Sequence, residues 1–245
     1  MKKILIIIIA LFPLSSFAAQ VKIKSVSDNK MCIYENPSAK VNIIGFVGGS
    51  GIKKGCGKSQ NPLARDRKDF AGAGLNYYLF NNPKEDKEGL SLLYRKSSDH
   101  AERISNLIKY LKKKNNLPII LVGHSRGSVS VAAAANALGP QKIKGIVIMA
   151  SLTAANKKVT ATFLMQNMLK KPTVPVLVIH HQKDSCDVTP YLPAKNLAEK
   201  MNFKLITITG GGNTGDACGP LHHHGFEGKM PEVIQAIQKW SGELQ

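Results

Sequence analysis

The sequence predicts an α/β protein, a mostly parallel sheet with helices on both faces. Three observations carry that expectation. Short apolar runs rich in β-branched residues alternate with stretches of helical period along the 245 residues. Glycine-rich turns follow several of these runs on their C-terminal side. One run passes through Gly123-His124-Ser125-Arg126-Gly127 directly into a stretch of small helix formers.

Taken in order, residues 1–18 are set apart. Lys2 and Lys3 precede an apolar stretch too short to span a bilayer as a mature helix, and Ser16-Phe17-Ala18 offers small residues for cleavage. The expectation is a signal peptide over 1–18 and one domain over 19–245, exported to the periplasm or beyond. Residues 21–26 alternate apolar and polar as an outer strand does, and 29–38 read as a turn-rich loop. Residues 41–47 form the next expected strand, running into Gly48-Gly49-Ser50-Gly51. Backbone N–H groups of such a turn can face a developing negative charge. A phosphate loop is excluded by spacing, because Gly55-Cys56-Gly57-Lys58-Ser59 imitates only its end.

Residues 61–71 are polar and helical in part, 75–80 form a strand, and 84–94 a charged loop. Asp99 is expected to cap a helix, with Glu102 in capping-box position. Ile104, Leu107, Ile108 and Leu111 give that helix one apolar face, and Lys112 to Lys114 suit its negative end. Strands follow at 117–122, 143–150, 174–181 and 203–209. Helices are expected at 128–138, 194–201 and 231–240, the last with Val233, Ile234, Ile237 and Trp240 in a packing stripe. Residues 152–172 are short and poor in aromatics, so a minimal cap and an open site are expected.

Hydrophobic residues make up 43% and charged residues 20%, a globular balance, but the net charge is +18. The lysines are scattered and aromatics are only 6%, so no stacking platform for nucleic acid is expected. The excess charge leaves contact with an anionic surface open.

The Gly-x-Ser-x-Gly turn supplies a nucleophile, Ser125, on a sharp strand-to-helix junction. A serine needs a base, and the base an orienting acid. Asp184 and Asp187 both follow the 174–181 strand closely, with Asp184 the nearer. His222, His223 and His224 follow a glycine-rich loop after the next strand. Adjacent histidines point in different directions and seldom converge on one ion, so no metal is expected.

The order Ser, Asp, His, with Gly48-Gly49-Ser50-Gly51, Gly123-His124-Ser125-Arg126-Gly127, His180-His181-Gln182-Lys183-Asp184, Val188-Thr189-Pro190 and His224-Gly225-Phe226, resembles the α/β-hydrolase superfamily over nearly the whole mature length. The likeness is to its small exported bacterial members, with dienelactone-hydrolase-like and peptidase-like relatives. It implies an α/β-hydrolase fold, Asp184 as acid and His224 as base. Val47 stands where many relatives carry histidine before the oxyanion glycines. The resemblance implies a serine hydrolase acting on a small-molecule acyl substrate without a cofactor. Its oxyanion would be held by the N–H of Arg126 and of Gly49 or Ser50. An amide-bond hydrolase and a non-catalytic binding protein on the same scaffold are the alternatives.

The four cysteines complete the expectation. Cys186 lies in the acid's loop and Cys218 in the base's loop. An Asp–His pair would bring those loops together, so Cys186–Cys218 is expected, leaving Cys32–Cys56.

Overall fold

The computed structural model describes residues 17–21, 31–53, 55–83, 86 and 88–244, with backbone alone for 17–21 and 56. In chain order the elements are β1 (Phe17–Val21), β2 (Met31–Glu35), β3 (Asn42–Phe46), α1 (Pro62–Arg65), α2 (Arg67–Gly72), β4 (Asn76–Leu79), α3 (Leu92–Lys96) and α4 (Ser98–Lys114). There follow β5 (Ile119–His124), α5 (Gly127–Leu138), β6 (Gly145–Met149), α6 (Met165–Met168), β7 (Val176–His181), α7 (Tyr191–Met201), β8 (Lys204–Ile208) and α8 (Met230–Glu243).

The strands form one sheet in the order β1-β2-β4-β3-β5-β6-β7-β8. From β4 through β8 every pairing is parallel, whereas β1 and β2 add an antiparallel edge. This is the α/β-hydrolase architecture. The inner strands are buried along their whole length, which is why they read as unbroken apolar runs rather than alternating ones.

Two cores flank the sheet. One packs α3 to α7 against one face through Ile104, Leu107, Val129, Met165 and Leu197. The other packs α1, α2 and α8 through Leu63, Phe70, Val233 and Trp240. α4 buries Ile104, Leu107, Ile108 and Leu111 from one stripe. α5 is buried for most of its length, and its alanines and serines allow it to lie close to the sheet.

Several local expectations need correction. The 29–38 segment is not all loop, because Met31–Glu35 pairs with β4 as strand β2. The expected strand at 21–26 lies, apart from Val21, outside the described residues, and the edge strand instead begins at Phe17. The 61–71 stretch buries Leu63, Ala64, Phe70 and Ala71. The charged 84–94 segment ends in α3, whose Ser91 cap accepts from the Tyr94 N–H. Asp99 does not cap α4. Ser97 does, accepting from the His100 N–H at 3.2 Å. Asp99 instead adds negative charge to the first turn.

Candidate active site

Four segments converge beyond the C-terminal ends of the parallel strands, where such sheets place their sites. Ser125 joins β5 to α5, Gly48 to Gly51 follow β3, Asp184 follows β7, and His224 lies in a 3-10 turn, His223–Gly225, before α8.

Ser125 has φ +54, a left-handed conformation costly for a side-chain-bearing residue. The turn is over-determined by its surroundings. The Ser125 N–H donates to the Met149 carbonyl at 2.9 Å, and the Ser128 hydroxyl donates to the Ser125 carbonyl at 2.7 Å. A Cβ on Gly127 would meet the Phe46 carbonyl oxygen at 2.0 Å, and one on Gly48 would meet the Ser125 Cβ at 2.8 Å. The strands and helix therefore approach as closely as the motif's glycines permit.

Asp184 and His224 meet in the interior. His224 Nδ1 donates to Asp184 Oδ2 at 3.1 Å, with both side chains almost wholly buried. The Cys186 N–H donates to Asp184 Oδ1 at 3.0 Å. The Thr189 hydroxyl donates to Oδ2 at 3.0 Å, and its oxygen lies 3.0 Å from His224 Nδ1. His180 Nε2 donates to the Thr189 carbonyl at 2.8 Å and lies 3.3 Å from Asp184 Oδ2. Burial alone would raise the carboxyl's pKa. The hydrogen bonds from His180 and His224 outweigh it and hold the carboxyl below the usual carboxylate range.

His124, from the turn itself, braces the histidine. Its Nε2 donates to the His224 carbonyl at 2.8 Å, so Nδ1 is the acceptor for Asn61 Nδ2 at 2.9 Å. Burial and the neighbouring His224 push the His124 pKa down to about 3, which keeps the ring neutral and this pattern intact.

Ser125 and His224 line one cavity of about 270 Å³ together with Gly48, Gly49, Ser50, His124 and Asn61. Among the described residues, neither the Gly49 nor the Arg126 N–H donates within the protein. Beneath this loop lies Arg95, 1% exposed, whose Nη2 donates to the Val47 and Gly49 carbonyls at 3.1 and 3.2 Å. Its Nη1 donates to the Ser130 hydroxyl at 3.1 Å, tying the loop to α5.

Cys186 and Cys218 are joined in a disulfide across the Asp184 and His224 loops, with Cα atoms 4.6 Å apart. Cys32 is disulfide-bonded as well, while the side chain of Cys56 lies outside the described residues. Asp187 stands apart from the histidines and accepts from Asn156 Nδ2 at 2.8 Å. His223 stacks on His181 at 4.3 Å, away from the acid. Among the described residues, Cys186, Asp187 and Cys218 are the cluster of metal-ligating types, and the disulfide leaves it no thiolate.

A family model described as serine aminopeptidase, S33, matches residues 55–189, more than half of the chain and including Ser125 and Asp184. The chain belongs to this hydrolase family. No curated protein matches the sequence of this hydrolase. Its fold is similar to that of an esterase from Pyrococcus furiosus, at TM-score 0.62 and 12% identity over 94% of this chain and 93% of that one. A lidless α/β serine hydrolase from Xanthomonas campestris gives 0.60 and 14% over 94% of each chain. A dienelactone hydrolase from Anabaena variabilis gives 0.59 and 16% over 92% and 96%. At these identities the likeness is one of fold.

From the sequence alone, neither His180 nor Arg95 is assigned a role. His180 could have been noticed four residues before Asp184 at a strand's end. Arg95 carried no signal, because its partners are carbonyls from distant loops.

Proposed function

We propose that this hydrolase cleaves ester-type acyl bonds through Ser125, His224 and Asp184. One observation carries the reading: a buried carboxylate–imidazole hydrogen bond of 3.1 Å stands on the same cavity as a serine held at a left-handed turn. With Nδ1 turned to Asp184, Nε2 of His224 is the nitrogen available to take the Ser125 proton. Ser125 Oγ then attacks the acyl carbonyl, and the N–H groups of Gly49 and Arg126 receive the oxyanion. The leaving alcohol takes the proton from His224. Water, deprotonated by the same imidazole, attacks the acyl-enzyme and releases the acid. Asp184 keeps the tautomer and stabilises the imidazolium. Apart from the hydrolytic water, every group this requires is a side chain or N–H of the chain itself.

The apolar leader at 1–18 and the Cys186–Cys218 bridge support an exported enzyme. The matched family's description favours a second reading, hydrolysis of aminoacyl amides by the same groups. A fluorophosphonate probe tests the nucleophile: a covalent adduct on Ser125 of the folded protein is expected, and its absence would sink both readings. A panel of acyl esters and aminoacyl amides then ranks the two, with faster turnover of the esters expected.

A further inference from the structure

A second cavity, of about 670 Å³, opens on the other side of Ser125. It shares Gly49, Ser125 and Cys218 with the first and is lined in addition by Arg126, Asn156, Lys157 and Lys158. None of these three cations lies within ion-pair distance of a described carboxylate. Two acids share the wall, but both are engaged. Asp187 accepts from Asn156 Nδ2 at 2.8 Å, with its other oxygen against the disulfide sulfurs, and Asp216 accepts from the Cys218 N–H at 2.7 Å.

Behind the wall, Arg95 is bonded to carbonyls and a hydroxyl, with no carboxylate in ion-pair range among the described residues. Burial, and then the charge of Arg126, weigh against its charged form, and the more weakly felt charge of Asp86 favours it. Three cations and two carboxylates thus line this side of Ser125, so the wall keeps a net positive charge and none of its cations is held in an ion pair. Like charges on one wall repel until an anion enters, and a partly desolvated cleft strengthens their attraction for it. The apolar contribution to this cavity is Val159 and Val188, too little to seat a long acyl chain.

We propose that the acyl substrate carries an anionic group, a carboxylate or phosphate, received in this cavity by Arg126, Lys157 and Lys158. The inference rests on the serine-hydrolase reading and names its substrate class. Arg126 follows the nucleophile directly, so its guanidinium and its backbone N–H serve one bound substrate from two sides. The two lysines reach from the segment after β6, where other hydrolases insert a cap.

The test uses two matched pairs of esters. In one, 4-nitrophenyl glutarate with a free carboxylate is compared with its own methyl ester, which places the charge on the acyl side. In the other, 3-carboxyphenyl butanoate is compared with the 3-methoxycarbonyl ester, which places it on the leaving group. In at least one pair the anionic member is expected to have about tenfold higher kcat/KM. That ratio should fall toward one in Arg126→Gln, in the double variant Lys157→Gln/Lys158→Gln, and at high salt. The ratio is read within each variant, so a general loss of activity does not mimic the effect. Ratios at or below one in both pairs, or a preference untouched by both variants, would overturn the proposal. Fluorophosphonate labelling separates the two levels. A labelled Ser125 without charge preference removes the anionic substrate alone, whereas an unlabelled Ser125 removes the hydrolase reading beneath it.

Discussion

Ser125 occupies a backbone region that its own side chain disfavours, and the bonds from Met149 and Ser128 keep it there. Ser125→Ala retains a Cβ and all of those backbone bonds, so the fold is expected to persist while turnover falls by several orders of magnitude. Circular dichroism and ester hydrolysis on one sample check this, and near-native activity in the variant would end the mechanism. The acid can be identified in the same way. Asp184→Asn removes a buried carboxylate that receives Cys186, Thr189 and His224, and should lower kcat at least about a thousandfold. Asp187→Asn keeps an acceptor for Asn156 and should change it by less than about threefold. The reverse ranking would transfer the role to Asp187.

At the scale of elements, the bridge between the Asp184 loop and the His224 loop is the part most open to manipulation. The chain from Gly210 to Gly219 is held by His181 Nε2 on the Gly210 carbonyl and by the Gly212 and Thr214 N–H groups on the Glu227 and Leu221 carbonyls, and the Cys186–Cys218 bond fixes its far end beside the Asp184 loop. Reduction should lower kcat at temperatures where near-ultraviolet dichroism still reports a native fold. Unchanged activity after verified reduction of this bond would show that these hydrogen bonds, with that of Arg65 to the Pro220 carbonyl at 2.8 Å, secure the loop without it.

The elements missed in the sequence share one character. β2 and α3 are each five residues long, too short for their period to stand out from composition. β2 exists because β4 offers it an edge, a tertiary cause invisible locally. α4, by contrast, shows its whole apolar stripe in the chain, and only its cap was misplaced, because Ser97 and Asp99 are equally able to accept a hydrogen bond. At the site, Ser125 and its glycines are legible because sterics fix their spacing. His180 and Thr189 lie within five residues of Asp184, whereas His124 and Arg95 act through contacts with Asn61, His224 and the loop after β3, remote segments that no local pattern encodes.

Over the whole molecule, two buried histidines set the response to acid. His100 packs edge-on to Phe46 and Phe80 with neither ring nitrogen hydrogen-bonded, and burial lowers its pKa to about 3. His124 is lowered to about 3 for the same leading reason. Unfolding restores both toward the ordinary value of about 6.5, so below that pH the unfolded chain binds protons that the native state refuses. The stability these neutral rings carry is complete above about pH 6.5 and is lost as pH falls toward 3, by up to about 2 kcal/mol per histidine at pH 5. Urea midpoints between pH 7 and pH 4 should therefore drop before most carboxylates titrate, and His100→Leu should flatten the drop. A profile unaltered by that substitution would remove His100 as a cause.

The bond from His124 to the carbonyl of His224 joins residues 100 positions apart. One belongs to the turn that carries the nucleophile and the other to a segment near the end of the chain. A polypeptide crossing a membrane from its N-terminus would deliver the serine, the oxyanion loop and the acid well before this histidine. Until the final segment arrives, the sheet can assemble around a serine that has no base. An exported chain with this site would stay inert until its final segment arrived, with the contact between His124 and His224 the last to close.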